Sequence, residues 1–110
     1  MNKYRDKSDF EINKAAAKKS GKQFATNGKI IFVEADVPSG IVPYAVIFDP
    51  CNNPADAMPI INGYGISLIY QEGEFQFATN DGNIECSISN PLKAAMVIFL
   101  MMKDAENEKI

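Results

Sequence analysis

The chain contains no histidine and no tryptophan. Without His, imidazole-based general acid–base catalysis and His-ligated metal sites are excluded. There are two cysteines, Cys51 and Cys86, too far apart for a Cys-x-x-Cys pair, so zinc-finger and dithiol redox patterns are also absent. In a reducing compartment both are expected as free, buried thiols, and Cys51 has no His to draw off its proton. No apolar run approaches the roughly 20 residues of a membrane span. The longest, Ala94 to Met102, suits a buried helix. The opening residues, Met-Asn-Lys-Tyr-Arg-Asp-Lys, lack the apolar centre of a signal peptide, so the expectation is a cytoplasmic protein. There is no Walker-type loop or dinucleotide fingerprint, and Gly63-Tyr64-Gly65 reads as a turn.

Cations are missing from the middle of the chain. Residues 1–29 carry a net charge of +5 and residues 30–110 a net charge of −8. Between Ile30 and Leu92 there are eight acids and no Lys or Arg. A nucleic-acid groove needs cations that meet phosphate. Only the N-terminal segment supplies them, through Lys14, Lys18, Lys19 and Lys22, and a solvated helix face explains that set as well.

At 110 residues the chain is one domain, large enough to bury a core without metal or disulfide. Residues 1–7 are polar and read as a loose arm, with the domain over 8–104 and a frayed tail over 105–110. Ser8-Asp9-Phe10-Glu11 reads as a capping box opening a helix to about Ser20, stopped by Gly21. Its apolar stripe is Ile12, Ala15 and Ala16. Asn27-Gly28 predicts a two-residue type I′ hairpin between a short strand at 22–26 and one at 29–34. Val37-Pro38-Ser39-Gly40 is a turn. The segments Ile30–Val33 and Ile41–Phe48 are apolar on both faces, which predicts strands covered on both sides, with Pro43 marking an edge or bulge.

Asn53 and Pro54 form a helix start, and Pro59 predicts that this helix is short and closed by about Met58. Three further strands follow at 66–71, 74–78 and 84–88, joined by turns at Glu72-Gly73 and Asn80-Asp81-Gly82. Asn90-Pro91 then starts a last helix to about Asp104. That helix is apolar nearly all round, so it is covered from several sides or shared with a second copy as a homodimer interface. The fold class is α+β. A mostly antiparallel sheet of about five to six strands is layered with an N-terminal helix, a short central helix and a buried C-terminal helix.

Three blocks carry a family resemblance: Ser8-Asp9-Phe10-Glu11-Ile12-Asn13-Lys14-Ala15, Cys51 through Ile61, and Asn90 through Met102. In order and spacing they resemble the NinX-like proteins of lambdoid phages, encoded in the nin region and by prophages. The resemblance implies a phage or prophage context in a bacterial host and a layered α/β fold. It carries over no activity and no catalytic residue. One departure is Met58, where the family pattern has Trp. An aromatic that stacks on a ligand is lost there, whereas a packing role is one that Met fills.

The best ligand-binding candidate is the polar bend of Asp49, Cys51, Asn52, Asn53 and Asp56 ahead of a helix start, where free N–H groups and Asn amides can meet a small polar ligand. The competing reading is that these groups cap and brace the fold. No catalytic set, metal set or cofactor motif is present. The functional expectation is a non-enzymatic accessory protein that binds a host or phage protein or a small polar ligand. The alternatives are weak nucleic-acid binding through the N-terminal lysines and a nucleotide-binding domain. No membrane partner is expected.

Overall fold

The computed structural model describes residues 3–108. Its elements run α1 (Asp9–Lys19), β1 (Phe24–Thr26), β2 (Ile31–Glu34), β3 (Ala45–Ile47), α2 (Pro54–Tyr64), β4 (Ile66–Gln71), β5 (Glu74–Asn80), β6 (Ile84–Cys86) and α3 (Pro91–Glu108). The class is α+β, as the sequence predicts. The strands do not form one sheet, however. They make two antiparallel three-stranded sheets, β1-β2-β3 and β4-β5-β6.

Helix α3 is the centre of the core. Ala94 through Leu100 are wholly buried. This helix packs on α1, on α2 and on all three strands of the second sheet. The covering that its apolar run demands therefore comes from within one chain. Tyr64 of α2 meets Phe99 edge-on, with ring centroids 4.9 Å apart. The helix continues to Glu108, past the predicted end at Asp104.

Helix α1 lies against α3 and carries the first sheet on β2. Ser8 caps it by accepting the Glu11 N–H at 3.1 Å. The Glu11 carboxylate pairs with Lys7 instead of reaching back to close the box. The buried face of α1 is Ile12, Asn13, Ala16 and Ala17. Of the arm read over residues 1–7, residues 1 and 2 lie outside the described residues, and 3–7 are tied to the helices through Tyr4. Tyr4 is buried, its hydroxyl donates to the Asp104 carboxylate, and Lys3 and Lys19 also approach Asp104. Burial and this bond both raise the Tyr4 pKa above its ordinary value.

Three local predictions need correction. Pro59 does not close α2, which continues to Tyr64 and ends at Gly65 in the left-handed conformation. Only the single bond to the Ala55 carbonyl is lost at Pro59, and packing of Ala57, Ile60 and Ile61 outweighs that loss. The β1–β2 connection is not a two-residue I′ turn. Thr26 pairs with Ile31, and the loop is held by the Asn27 side chain accepting from Lys29 and Ile30 N–H. Finally, the first sheet is not covered on both faces. Ile31, Val33 and Phe48 are buried, but Ile41, Val42, Tyr44 and Ile47 are open to solvent. Three short strands on one helix have nothing left to cover their outer face.

The second sheet follows its prediction more closely. Glu72 and Gly73 both have positive φ, 55° and 81°, as a two-residue I′ turn requires. The register shifts between Ile69 and Tyr70, which pair with Phe77 and Phe75, so Gln76 is the extra residue of a bulge in β5. Among the described residues no helix is long and apolar enough to cross a membrane.

Candidate functional site

The starts of all three helices meet at one polar junction. Asp9 lies in the first turn of α1, Asn52 and Asn53 precede α2, and Asn90 precedes α3. Asn53 accepts the Ala55 N–H at 3.0 Å, and Asn90 accepts from Leu92 N–H at 3.0 Å and Lys93 N–H at 3.3 Å. Each Asn thus satisfies orphan donors of its own helix.

The same side chains then tie the helices together. The Asn90 amide donates to the Cys51 carbonyl at 2.6 Å and to Asn52 Oδ1 at 3.3 Å. The Asn52 amide donates to Asp9 at 3.1 Å and to both oxygens of Asp49. Lys93 pairs with Asp9 at 3.0 Å. The Asn52 bond and then the Lys93 contact hold the Asp9 carboxyl below its ordinary value. Asn13, buried on α1, bridges the bend twice. Its amide donates to Asp49 at 2.8 Å, and its carbonyl accepts the Cys51 N–H at 3.1 Å.

The five residues predicted as a ligand site are therefore brought together, but their polar atoms face one another. Asp56 accepts the Asp49 N–H at 2.9 Å. Cys51 is fully buried, with its thiol 3.8 Å from the Asp9 carbonyl. Burial, then the charge of Asp9, pushes that thiol up to about 12, so it is inert as a nucleophile at neutral pH. Among the described residues no buried side-chain polar atom lacks a partner, and no cluster of three or more Asp, Glu or Cys is placed to hold a metal. A cleft of about 130 Å³ runs from Asp9, Asn13 and Asp49 to Ile47.

Sequence reasoning missed Asp9, Asn13, Asn90 and Lys93 as members of this junction. Asn13 carried a signal. It stands four residues before Ala17 on a buried stripe, and a polar group on such a stripe needs a partner. The alternative lysines divide. Lys14 and Lys18 are exposed. Lys19 lies 3.7 Å from Asp104, and Lys22 sits over the Phe48 ring at 5.7 Å. The four do not act as one free cationic face.

A groove of about 510 Å³ lies on the second sheet by Arg5, Tyr70 and Glu85, and a further feature open to a partner is the apolar strip leading into and along β3. Val42 is 83% exposed, Tyr44 59% and Ile47 54%. A groove of about 320 Å³ runs beside them, lined by Phe32, Glu34, Pro43, Tyr44 and Ala45 among others.

These features define a small α+β protein with a hydrogen-bonded helix-start junction and an exposed apolar strip around β3. The family model described as "Bacteriophage P22, NinX" matches residues 3–103. The chain belongs to this family and is a phage accessory protein. No curated protein and no solved structure matches it.

Proposed function

We propose that this protein works by binding another protein, through the open side of its first sheet, in the cytoplasm of the bacterial host. The single observation behind this reading is the exposure of Ile41, Val42, Tyr44 and Ile47 within seven residues, the densest run of exposed large apolar side chains among the described residues. Contiguous exposed apolar residues mark contact surfaces more often than isolated ones do. The polar bend supports the reading from the other side. Asp49, Asn52, Asn53 and Asp56 spend their hydrogen bonds on the fold, which leaves a small polar ligand little to replace. Among the described residues, a homodimer through α3 has the half-buried Leu92, Met101 and Met102 to offer, because Ala94 through Leu100 are covered by the chain itself.

The test is affinity capture of tagged protein from infected cells, comparing wild type with Val42→Asp. Val42 is exposed and outside the buried core, so the variant is expected to keep the wild-type melting temperature. A stoichiometric partner held by wild type and lost by the variant supports the reading; a partner retained by the variant refutes it. A second reading, weak nucleic-acid binding, draws on the exposed Lys14 and Lys18, four residues apart on α1. It requires salt-sensitive fluorescence anisotropy with duplex or single-stranded DNA, lost on charge reversal of those two. A nucleotide-binding role requires a rise in melting temperature with nucleotide and divalent ions.

A further inference from the structure

Strand β3 is the edge of its sheet. The Ala35 N–H donates to the Tyr44 carbonyl at 2.8 Å, and the Phe48 N–H donates to the Ile31 carbonyl at 2.8 Å. With the register Phe32 to Ile47, Val33 to Val46 and Glu34 to Ala45, residues 44, 46 and 48 face β2 with their backbone groups. Residues 43, 45, 47 and 49 therefore face outward. Pro43 has no N–H to offer, and the Asp49 N–H already donates to Asp56. Ala45 and Ile47 are left presenting N–H and C=O to the outside, and both are exposed. The edge is short, and it is stopped at each end by a different device.

A groove that crosses the sheet from Gln23 past Phe32 and Glu34 reaches this edge at Pro43 and Ala45, and it has a specific chemistry. Phe32, Pro43 and Tyr44 give it apolar walls, and Glu34 is the charged residue of its lining. Glu34 stands directly opposite Ala45 in the register. Exposed Asp36 lies just beyond β2, and the chain has no cation from Ile31 to Pro91 to neutralise either acid from nearby in sequence. The nearest cation in the register is Lys22, next to Gln23 of the groove lining, and its head is held over the Phe48 ring at 5.7 Å; Lys29, at the other end of the sheet, lines the separate cleft by Asp9 and Ile47. A long cationic side chain matches the groove: its stem covers the apolar walls and its head meets the carboxylate. Arginine fits better than lysine, because its planar head stacks on an aromatic ring and pairs with a carboxylate through two donors.

Building on the binding function argued above, we propose that the β3 edge receives an extended segment of a partner protein, added as a fourth antiparallel or parallel strand, with an arginine seated in the groove against Glu34. Main-chain bonds to Ala45 and Ile47 supply affinity, and the groove supplies selection of the side chain.

The probe is a library of random twelve-residue peptides, selected on the wild-type protein and on Glu34→Lys. The wild type is expected to enrich peptides with an arginine among β-branched residues, and Glu34→Lys to lose them. Glu34→Gln should bind a selected peptide about tenfold more weakly while keeping the wild-type urea midpoint. Replacing the peptide's arginine by neutral citrulline should give the same loss, a control that leaves the protein untouched. Methylating alternate peptide amides should abolish binding, and hydrogen exchange at Ala45 and Ile47 should slow at least tenfold in the complex. A selected pool without basic residues, equal binding by Glu34→Gln, or unchanged exchange at both amides overturns the proposal. So does a concentration-dependent dimer of the wild type that excludes the peptides, which assigns the edge to a second copy. If Val42→Asp loses a captured partner while these peptides fail, strand addition is wrong and protein binding stands. If Val42→Asp keeps its partner, the broader reading falls first.

Discussion

Replacing Asn13 with Ala is the sharpest test of whether the polar bend is structure or site. The substitution removes two bonds at once. One is the amide donor to the Asp49 carboxylate at 2.8 Å, and the other is the acceptor of the buried Cys51 N–H at 3.1 Å. A bond to a charged group contributes about 1.5–3 kcal/mol, and a buried N–H left without a partner costs about 1–3 kcal/mol. Asn52 still reaches Asp49, which softens the first loss. A net destabilisation of about 3 kcal/mol is expected. With a urea slope of about 1.5 kcal/mol per M for a domain of this size, the midpoint should fall by about 2 M. Urea denaturation followed by circular dichroism measures it, with Lys14→Ala, on the exposed neighbouring position, as the control expected to stay within about 0.5 kcal/mol. A loss under about 0.5 kcal/mol for Asn13→Ala refutes the structural reading. It would mean that water replaces these bonds readily and that the bend is open to ligands.

Pro59→Ala restores a donor to the Ala55 carbonyl inside α2 at an exposed position and should raise stability by about 1–3 kcal/mol, read as a higher melting temperature; a lower one would show that the ring itself packs. Acid should destabilise the protein through Asp104. Burial alone would raise this carboxyl, but the bonds from Tyr4 and Lys3 outweigh burial and hold it below 3.8. A depressed folded-state value stabilises above the unfolded value and is lost as pH falls through the folded one. Asp104→Asn should therefore lose stability at pH 6 and show a flatter decline below pH 4; an unchanged acid profile counts against the bonds of Tyr4 and Lys3 to Asp104. Both thiols should resist an aromatic disulfide reagent in the native protein and react fully in denaturant, since Cys51 and Cys86 are buried. Rapid native labelling of Cys51 would contradict its placement.

The helix starts were legible because they are local chemistry. Ser8, Asn53-Pro54 and Asn90-Pro91 each specify a cap within a few residues, and each is where it was read. The Glu72-Gly73 turn is legible for the same reason. Pro59 misled because its local cost is outweighed by the burial of Ala57, Ile60 and Ile61 beside it, a tertiary effect. The two-sided apolarity of the segment from Ile41 to Phe48 misled in the opposite way. A pattern that signals burial is also what a contact strand displays, and only the arrangement of the other elements decides between them. The polar bend is legible by composition, and so is the reading that it braces the fold, but its partners Asp9, Asn13 and Asn90 lie 36 to 43 positions away in sequence at other helices, so which groups satisfy it is not.

Asp49 joins the two halves of the molecule's logic. Its carboxylate belongs to the helix junction, bonded to Asn13 and Asn52. Its N–H belongs to the outward row of β3 and is held by Asp56 at the start of α2. The first sheet touches the helical core through α1, and β3 is its outermost strand. Such a strand opens more readily than the core unless its end is fixed. The junction fixes it, and does so beside the two residues whose backbone groups remain unpaired. This polar knot has a role apart from any ligand. Its physical value is that it anchors a short, open edge to the most buried part of the chain, which presents Ala45 and Ile47 in extended form before any partner arrives and lowers the ordering cost of meeting one.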